Sequence, residues 1–383
     1  MRVLISGASI AGPALAHWLG RHGFDVTVVE IAPALREGGH AVDFRGDTHL
    51  TVLDRMGILD ELRALRTGGS PIRFVDAAGR TLLALPASFA GGDLEVRRGD
   101  LVRVLHARSA RYLFGDTVTG VVDTPAGVEV TFARAPSDTF DLVIGADGIH
   151  STVRRLVFGD EAQFTTFHGY QLASWQMPQV LDVGPGSVGH NAPGRFVSVA
   201  GDAGAFVLFT CSSPVGRDPR TRKNAIELAC AGMGWEVPRV LATLPDADLQ
   251  YFDAITSVHV PAWSRGRVAL VGDAAWGATL GGMGTGVAIV GAYVLAAALA
   301  DCRSAGLLDH RTAFLRYEAT MRDYATRCQR GGGRTGRFLA PRTRLGLALR
   351  NRSLNVPAVL SWMVREGRKV SAEVRLPETV VPG

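Results

Sequence analysis

Val3-Leu4-Ile5-Ser6-Gly7-Ala8-Ser9-Ile10-Ala11-Gly12 opens the chain after Met1-Arg2. The three leading apolar residues read as a short buried strand running into a glycine turn. Behind the turn, Ala14–His22 has the composition of a helix and stops at Gly23, while Val26-Thr27-Val28-Val29 reads as a second strand ending at Glu30. The acid stands 18 residues after Gly12. Strand, glycine turn, helix, strand and acid, in that order, form the context in which a glycine motif signifies dinucleotide binding. Gly7 permits the tight turn, and Gly12 lets the helix approach the strand. A pyrophosphate then meets the free N–H groups and the positive end of the helix dipole, flanked by Ser9, Ile10 and Ala11. Glu30 is placed to accept bonds from ribose hydroxyls. Ser9 occupies the position where a second glycine is expected.

Two later stretches repeat the logic of a strand ending in a carboxylate. Phe140–Gly145 runs into Ala146-Asp147-Gly148, and Arg267–Gly272 runs into Asp273-Ala274-Ala275. The second continues through Gly281-Gly282-Met283-Gly284-Thr285-Gly286 into an apolar helix over Val287–Ala300. In open α/β sheets, ligands bind at the carboxyl ends of the strands. Another glycine run, Gly331–Gly336, follows the helical Phe314–Gln329 with no strand before it. It is expected to be a helix stop and loop, leaving one dinucleotide fold.

Between these segments the texture changes. Residues 165–260 alternate in polarity with hairpin signals, such as Arg195–Ala200 and Ala205–Thr210 around Gly201–Gly204, and a helical stretch near Arg222–Met233. Ile72–Leu85 reads as a further hairpin turning at Asp76–Gly79. The expected fold is α/β: a Rossmann-like dinucleotide-binding domain with an inserted, mainly antiparallel substrate-binding sheet and a C-terminal helix. The expected division is 1–70, 96–164 and 260–344 for the nucleotide domain, 71–95 and 165–259 for the sheet, and 345–383 for an amphipathic helical tail.

Composition narrows the function classes. Glycine makes up 46 of 383 residues without a G-X-Y period, which excludes a collagen-like chain. Only Lys223 and Lys369 are lysines among 41 basic residues, so the net charge of +5 reflects arginine bias. The basic cluster at Arg330–Arg352 holds a single aromatic, Phe338, which argues against a nucleic-acid platform with interleaved aromatics. Cys211, Cys230, Cys302 and Cys328 show neither metal-ligand nor C-x-x-C spacing, so no metal is expected and the thiols suit a reducing cytosol. Val287–Ala300 is too short for a membrane helix, and the N-terminus does not read as a signal peptide. The expectation is a cytoplasmic protein without a membrane partner, as a monomer or homodimer.

Together these motifs carry a family resemblance. The N-terminal fingerprint, Gly145-Ala146-Asp147-Gly148-Ile149-His150-Ser151-Thr152-Val153-Arg154, Gly272-Asp273-Ala274-Ala275 and Arg97-Arg98-Gly99-Asp100-Leu101 resemble class A (p-hydroxybenzoate hydroxylase-like) FAD-dependent monooxygenases, a group that includes tetracycline-inactivating and polyketide-tailoring hydroxylases. The resemblance spans roughly residues 1–330 in motif order. It implies FAD, with NADPH or NADH as a transient reductant, and hydroxylation of an aromatic or polycyclic small molecule by O2 through a flavin C4a-hydroperoxide. Glu30 would hold the adenosine ribose, Arg98 the ribityl-phosphate region and Asp273 the ribityl chain or pyrophosphate. Gly282, Met283, Gly284, Thr285 and Gly286 would lie against the isoalloxazine, and Asp147-Gly148 would serve both nucleotides. Arg36, Asp43 and Arg45 belong to a glycine-rich stretch resembling the family loop near the flavin.

Some positions depart from the family pattern. Trp276 replaces the histidine usual after Gly-Asp-Ala-Ala, the proline usual within Gly277–Gly281 is absent, and Val290-Gly291-Ala292 replaces an acidic pair. An FAD-dependent dehydrogenase or a redox-neutral cyclase on the same scaffold therefore stands as an alternative, beside a non-catalytic nucleotide-binding protein. A halogenase lacks its W-x-W-x-x-I-P run here. Strand phase makes Trp175, Met177, Phe196, Phe206 and Phe209 pocket candidates, with Trp276 in the wall beside the flavin. His168, Tyr170, His190 and His259 are candidates to orient a phenol or act as base.

Overall fold

The computed structural model describes the chain apart from residues 36–40, 70, 107–110, 179–180, 185, 202–203, 281–282, 305–306, 330–331, 370–373 and 379–383. The candidates Arg36 and Gly282 lie outside the described residues.

A six-stranded sheet is assembled in the order Ser264–Arg265, Val268–Leu270, Leu142–Gly145, Arg2–Ser6, Asp25–Glu30, Arg111–Phe114. Every neighbouring pair is parallel except the antiparallel edge at Ser264–Arg265. Parallel strands need crossover helices and are buried on both faces. Val3, Leu4, Ile5, Val143, Ile144 and Val268 are accordingly fully buried. The helix Ala11–Arg21 packs on this sheet, and Gly284–Asp301 packs between it and His310–Gln329. Surrounded on all sides, Gly284–Asp301 needs no polar face. Longer than the Val287–Ala300 stretch read as too short, it is the one helix among the described residues long and apolar enough to cross a membrane, and 78% of it is buried inside the protein.

A seven-stranded sheet follows the order Leu249–Val258, Thr165–Trp175, Gly204–Thr210, Arg195–Ala200, Ser187–Ala192, Ile72–Val75, Thr81–Leu85. It is antiparallel except where Ile72–Val75 runs parallel to Ser187–His190. The two hairpins read from sequence are both present. One face packs on the helices Pro219–Cys230 and Val237–Ala242, burying Trp175, Val207, Phe209, Ile226 and Val240. The other carries Phe74, Leu172, Phe196, Leu208 and Ile255 toward the C-terminal helices.

The stretch expected to be a loop after Gln329 is instead helical over Gly332–Leu339. Packing overrides the poor helix propensity of glycine here. A side chain at Gly336 would stand 3.0 Å from the Tyr170 ring, so the glycine lets this helix sit flat on the sheet. The tail forms two helices, Arg344–Leu354 and Pro357–Lys369. Arg350 fastens the first, donating to Phe338 O at 2.9 Å and Asn191 Oδ1 at 2.8 Å, with its guanidinium 4.3 Å from the Phe74 ring centroid.

Candidate FAD and substrate site

The N-terminal turn is sterically determined. Gly7 has φ +110°, and a Cβ there would meet Ala146 O at 2.5 Å. A Cβ on Gly12 would lie 1.9 Å from Gly7 O, so helix and turn approach as closely as backbone allows. The helix Ala11–Arg21 has no side-chain cap at Ile10 and no acid in its first turn. Its first N–H groups are thus left for an anion. Glu30 accepts hydrogen bonds from Ala8 N at 2.8 Å and Ala32 N at 2.9 Å, which fixes its carboxylate beside the turn. Ser9 gains a role of its own: its hydroxyl accepts from Arg98 at 2.8 Å. The serine in the glycine position therefore holds a guanidinium over the helix terminus.

Arg154 joins the two later motifs. Fully buried, it donates to Ala274 O at 2.9 Å and to Ile149 O, so the Gly145–Arg154 and Gly272–Ala275 turns are fixed relative to each other. The Asp147 carboxylate accepts from Thr152 N at 2.8 Å, Val153 N at 3.1 Å and the Ser151 hydroxyl. These bonds cap the helix Thr152–Val157. They oppose the desolvation that raises the Asp147 pKa. Gly148, at φ +82° with nothing near its Cβ position, leaves the turn open.

Asp273 follows Gly272, whose φ of +65° brings this turn to within 3.0 Å of Ala11 Cβ, measured from an added Cβ. Burial pushes the Asp273 pKa up to about 6, with Arg98 opposing. The helix starting at Gly284 likewise has no side-chain cap and no acid in its first turn. Asp273 Oδ1 lies 3.5 Å from where a Gly284 Cβ would be, so Met283, Gly284, Thr285 and the acid share one location. Gly286 is there for a neighbour, since a Cβ would fall 2.2 Å from the His49 ring.

His49 is a site residue that sequence reading missed. Its Nδ1 accepts the Arg45 N–H at 3.0 Å, and its Nε2 lies 2.7 Å from the Tyr324 hydroxyl. An accepting Nδ1 makes Nε2 the protonated nitrogen of a neutral ring. Burial, then Arg45, lower its pKa to about 4. Arg45 in turn pairs with Asp43. The strand Ala41–Phe44 is thereby tied to the start of the helix Gly284–Asp301.

Two uncapped helix termini, a guanidinium between them, an acid at each end and glycines wherever backbone approaches backbone form a donor set suited to FAD. The pyrophosphate needs N–H donors, the ribose a carboxylate, and the flavin ring an unobstructed backbone edge.

The pocket candidates separate by strand parity, because successive residues of a strand face opposite sides. Phe196 lies on the face toward the C-terminal helices, with Phe74 at 5.4 Å and Phe206 at 6.1 Å between ring centroids. Trp175, Met177 and Phe209 do not join it: odd-numbered residues of Thr165–Trp175 and Gly204–Thr210 point to the opposite face. There the Trp175 indole N–H donates to Thr243 at 2.9 Å. These three therefore pack against the helices Pro219–Cys230 and Val237–Ala242, on the face opposite Phe196. Trp276 is also displaced. It packs 4.5 Å from Trp263, between Tyr317 and Gly291, where a Cβ would touch its indole at 2.9 Å. Gly291 thus accommodates Trp276 in the nucleotide-side core.

The remaining polar candidates mostly serve structure. Tyr170 donates to Ala340 O at 3.1 Å, and His190 is buried with Nδ1 at 2.9 Å from Val75 O. The His259 backbone N–H donates to Phe164 O at 2.7 Å. His168 lies 2.5 Å from the Ser257 hydroxyl, its pKa lowered by burial and by Arg337. The inner face instead presents Tyr251, Phe206, Leu280 and Phe338.

Known proteins match this arrangement along most of the chain. The model of an FAD binding domain family matches residues 1–326. An uncharacterised protein of Mycobacterium tuberculosis is 39% identical over 344 residues, covering 85% of this chain and 91% of its own. A flavin-dependent monooxygenase of Legionella longbeachae is 33% identical over 348 residues, covering 87% and 88%. The crystal structure of the tetracycline destructase Tet(55) superposes with a TM-score of 0.83 at 34% identity, covering 98% of each chain. The chain belongs to the family of FAD-binding, flavin-dependent monooxygenases.

Proposed function

We propose that this enzyme uses NADPH or NADH and O2 to hydroxylate an apolar aromatic or polycyclic molecule held between the inner face of the seven-stranded sheet and the Asp273–Gly286 region. Bound FAD would accept the hydride of the nicotinamide and activate O2, from which the inserted oxygen atom would come. In this reading Gly7, Ser9, Ile10, Ala11, Gly12, Glu30, Arg98 and the Asp147-Gly148 turn hold the dinucleotide, and Asp43, Arg45, Asp273 and Met283–Gly286 surround its redox end. Residues 1–70, 96–164 and 260–344 form the FAD domain, 71–95 and 165–259 the substrate domain, and 345–383 the tail.

The observation that carries the substrate class is the composition of the inner face. Phe196, Phe206, Leu280 and Phe338 are apolar or aromatic, and the phenols Tyr170 and Tyr251 stand among them. Such a face selects a flat apolar ligand by area and excludes water from the reacting atoms. The burial of Trp276 against Trp263 and Tyr317 supports a wall formed by other residues, while the missing proline within Gly277–Gly281 keeps the dehydrogenase or cyclase as the alternative. Purified protein should carry stoichiometric FAD and consume O2 with NAD(P)H, faster when tetracycline or a phenolic polyketide is added. Protein that retains no flavin, or flavoprotein whose oxygen uptake no member of such a panel accelerates, would refute this function.

A further inference from the structure

A second group of ionisable side chains connects the two sheets. His150, just after Asp147-Gly148, places Nδ1 2.8 Å from Glu161 Oε1 and Nε2 3.1 and 3.0 Å from the two oxygens of Asp253. With a carboxylate on each nitrogen, both nitrogens must donate, which defines an imidazolium. Asp253 belongs to the edge strand Leu249–Val258. Two residues earlier on the same strand face stands Tyr251. Its ring packs on the inner aromatic face, and the charges of Asp253, Asp273 and Arg98 act on its hydroxyl. At the other end, the His150 and Glu161 side chains are 42% and 32% exposed. A line of polar side chains thus leads from solvent along one strand face to the inner aromatic face.

We propose that Glu161, His150, Asp253 and Tyr251 form a proton path from solvent to the reaction site, with the Tyr251 hydroxyl as its inner end. It rests on the monooxygenase reading, whose balance is RH + O2 + NAD(P)H + H⁺ → ROH + NAD(P)⁺ + H2O, so that one proton is taken up per turnover. Tyr251 gives its hydroxyl proton to the reacting oxygen and regains one from Asp253. Asp253 is replenished by His150, which recovers its proton from water through Glu161; no electrons move along the path. Asp253 and His150 act through Tyr251 and are positioning residues.

The surroundings suit these roles. Burial, then Asp253 and Asp273, raise the Tyr251 pKa against Arg98, keeping it a neutral donor. Hydrogen bonding to Asp253 leads the causes that push His150 up to about 9, with Glu161 assisting and burial opposing. Arg154, 3.9 Å from Glu161, and the capping carboxylate Asp147 are the other charged groups at this junction.

The test uses FAD-loaded enzyme carrying ring-labelled tyrosine. The Tyr251 NMR resonance, identified by its loss in Tyr251→Phe, should shift as His150 titrates near pH 9, and that transition should vanish in His150→Gln. Turnover without added substrate, NADPH + O2 + H⁺ → NADP⁺ + H2O2, also consumes one proton. Its rate should fall at least about tenfold in Tyr251→Phe, Asp253→Asn and His150→Ala, with FAD retained. Imidazole should restore His150→Ala, and Asp253→Glu should recover part of the rate. A Tyr251 resonance blind to His150, or unchanged rates and pH profiles in all three variants, would overturn the path while leaving the monooxygenase reading intact. Wild-type enzyme that takes up FAD but consumes no O2 with NADPH would instead sink that reading and the path with it.

Discussion

Gly12→Ala should separate the chemistry of the dinucleotide turn from ordinary helix stability. The added methyl would lie 1.9 Å from Gly7 O, whereas real Cβ atoms rarely come closer than about 3 Å to a neighbour. Both partners are backbone-bound, so the helix terminus must retreat by roughly 1 Å. Overpacking of this kind costs about 1–3 kcal/mol. The same retreat lengthens N–H contacts to a bound pyrophosphate, and each charge-assisted bond lost costs about 1.5–3 kcal/mol. FAD affinity should therefore weaken by a factor of about 10–100. Gly20→Ala is the control, because it lies in the same helix with nothing within 4 Å of its added methyl. It should stabilise the protein by about 0.5–1 kcal/mol and leave FAD binding unchanged. Fluorescence titration of apoprotein with FAD, alongside thermal melts, measures both quantities. Wild-type FAD affinity in Gly12→Ala would refute the steric reasoning, as would equal losses in the two variants.

Further consequences follow from burial and from strand parity. Asp273 has a folded-state pKa near 6, raised by burial from 3.8. Its ionised form therefore destabilises the apoprotein above about pH 6, and the penalty disappears as pH falls toward 3.8. Asp273→Asn should raise apoprotein stability at neutral pH by roughly 2–3 kcal/mol but not near pH 4, while weakening FAD binding. Melts of apoprotein across that range, with FAD titrations, check the opposing signs. On the substrate sheet, Trp175→Ala should cost about 3–5 kcal/mol of stability and leave KM unchanged. Phe206→Ala should mainly raise KM. Denaturant unfolding combined with steady-state kinetics distinguishes them, and the reverse pattern would place the substrate on the other face.

The nucleotide side was legible because its constraints are local. A buried strand, a glycine forced to positive φ and an acid at a strand end leave marks within thirty residues, so Gly7, Gly12 and Glu30 could be read directly. The substrate side depends on non-local facts. Alternation puts neighbouring strand residues on opposite faces, but which neighbours Trp175 and Phe196 meet is set by helices far along the chain, Pro219–Cys230 and Val237–Ala242 on one face and the C-terminal helices on the other. The surroundings of Trp276 are non-local in the same way: the room it occupies is made by Gly291, on a different helix. His49 carries no sequence signal because the Tyr324 hydroxyl it meets lies 275 residues away, and the motif that contains Arg154 does not show that its guanidinium reaches Ala274 O, 120 residues on. The helix Gly332–Leu339 shows the same limit, since contact with Tyr170 outweighs the propensity of its glycines.

Oxygen insertion is the property that joins the FAD-binding turns to the apolar sheet face. It is tested most directly by mass analysis of the product formed from tetracycline or a phenolic polyketide under isotopically labelled O2, with NADPH as reductant. One labelled oxygen atom per product molecule is expected. A substrate oxidised with no label gained, or product that takes its oxygen from water, would contradict a monooxygenase and return the chain to dehydrogenase chemistry.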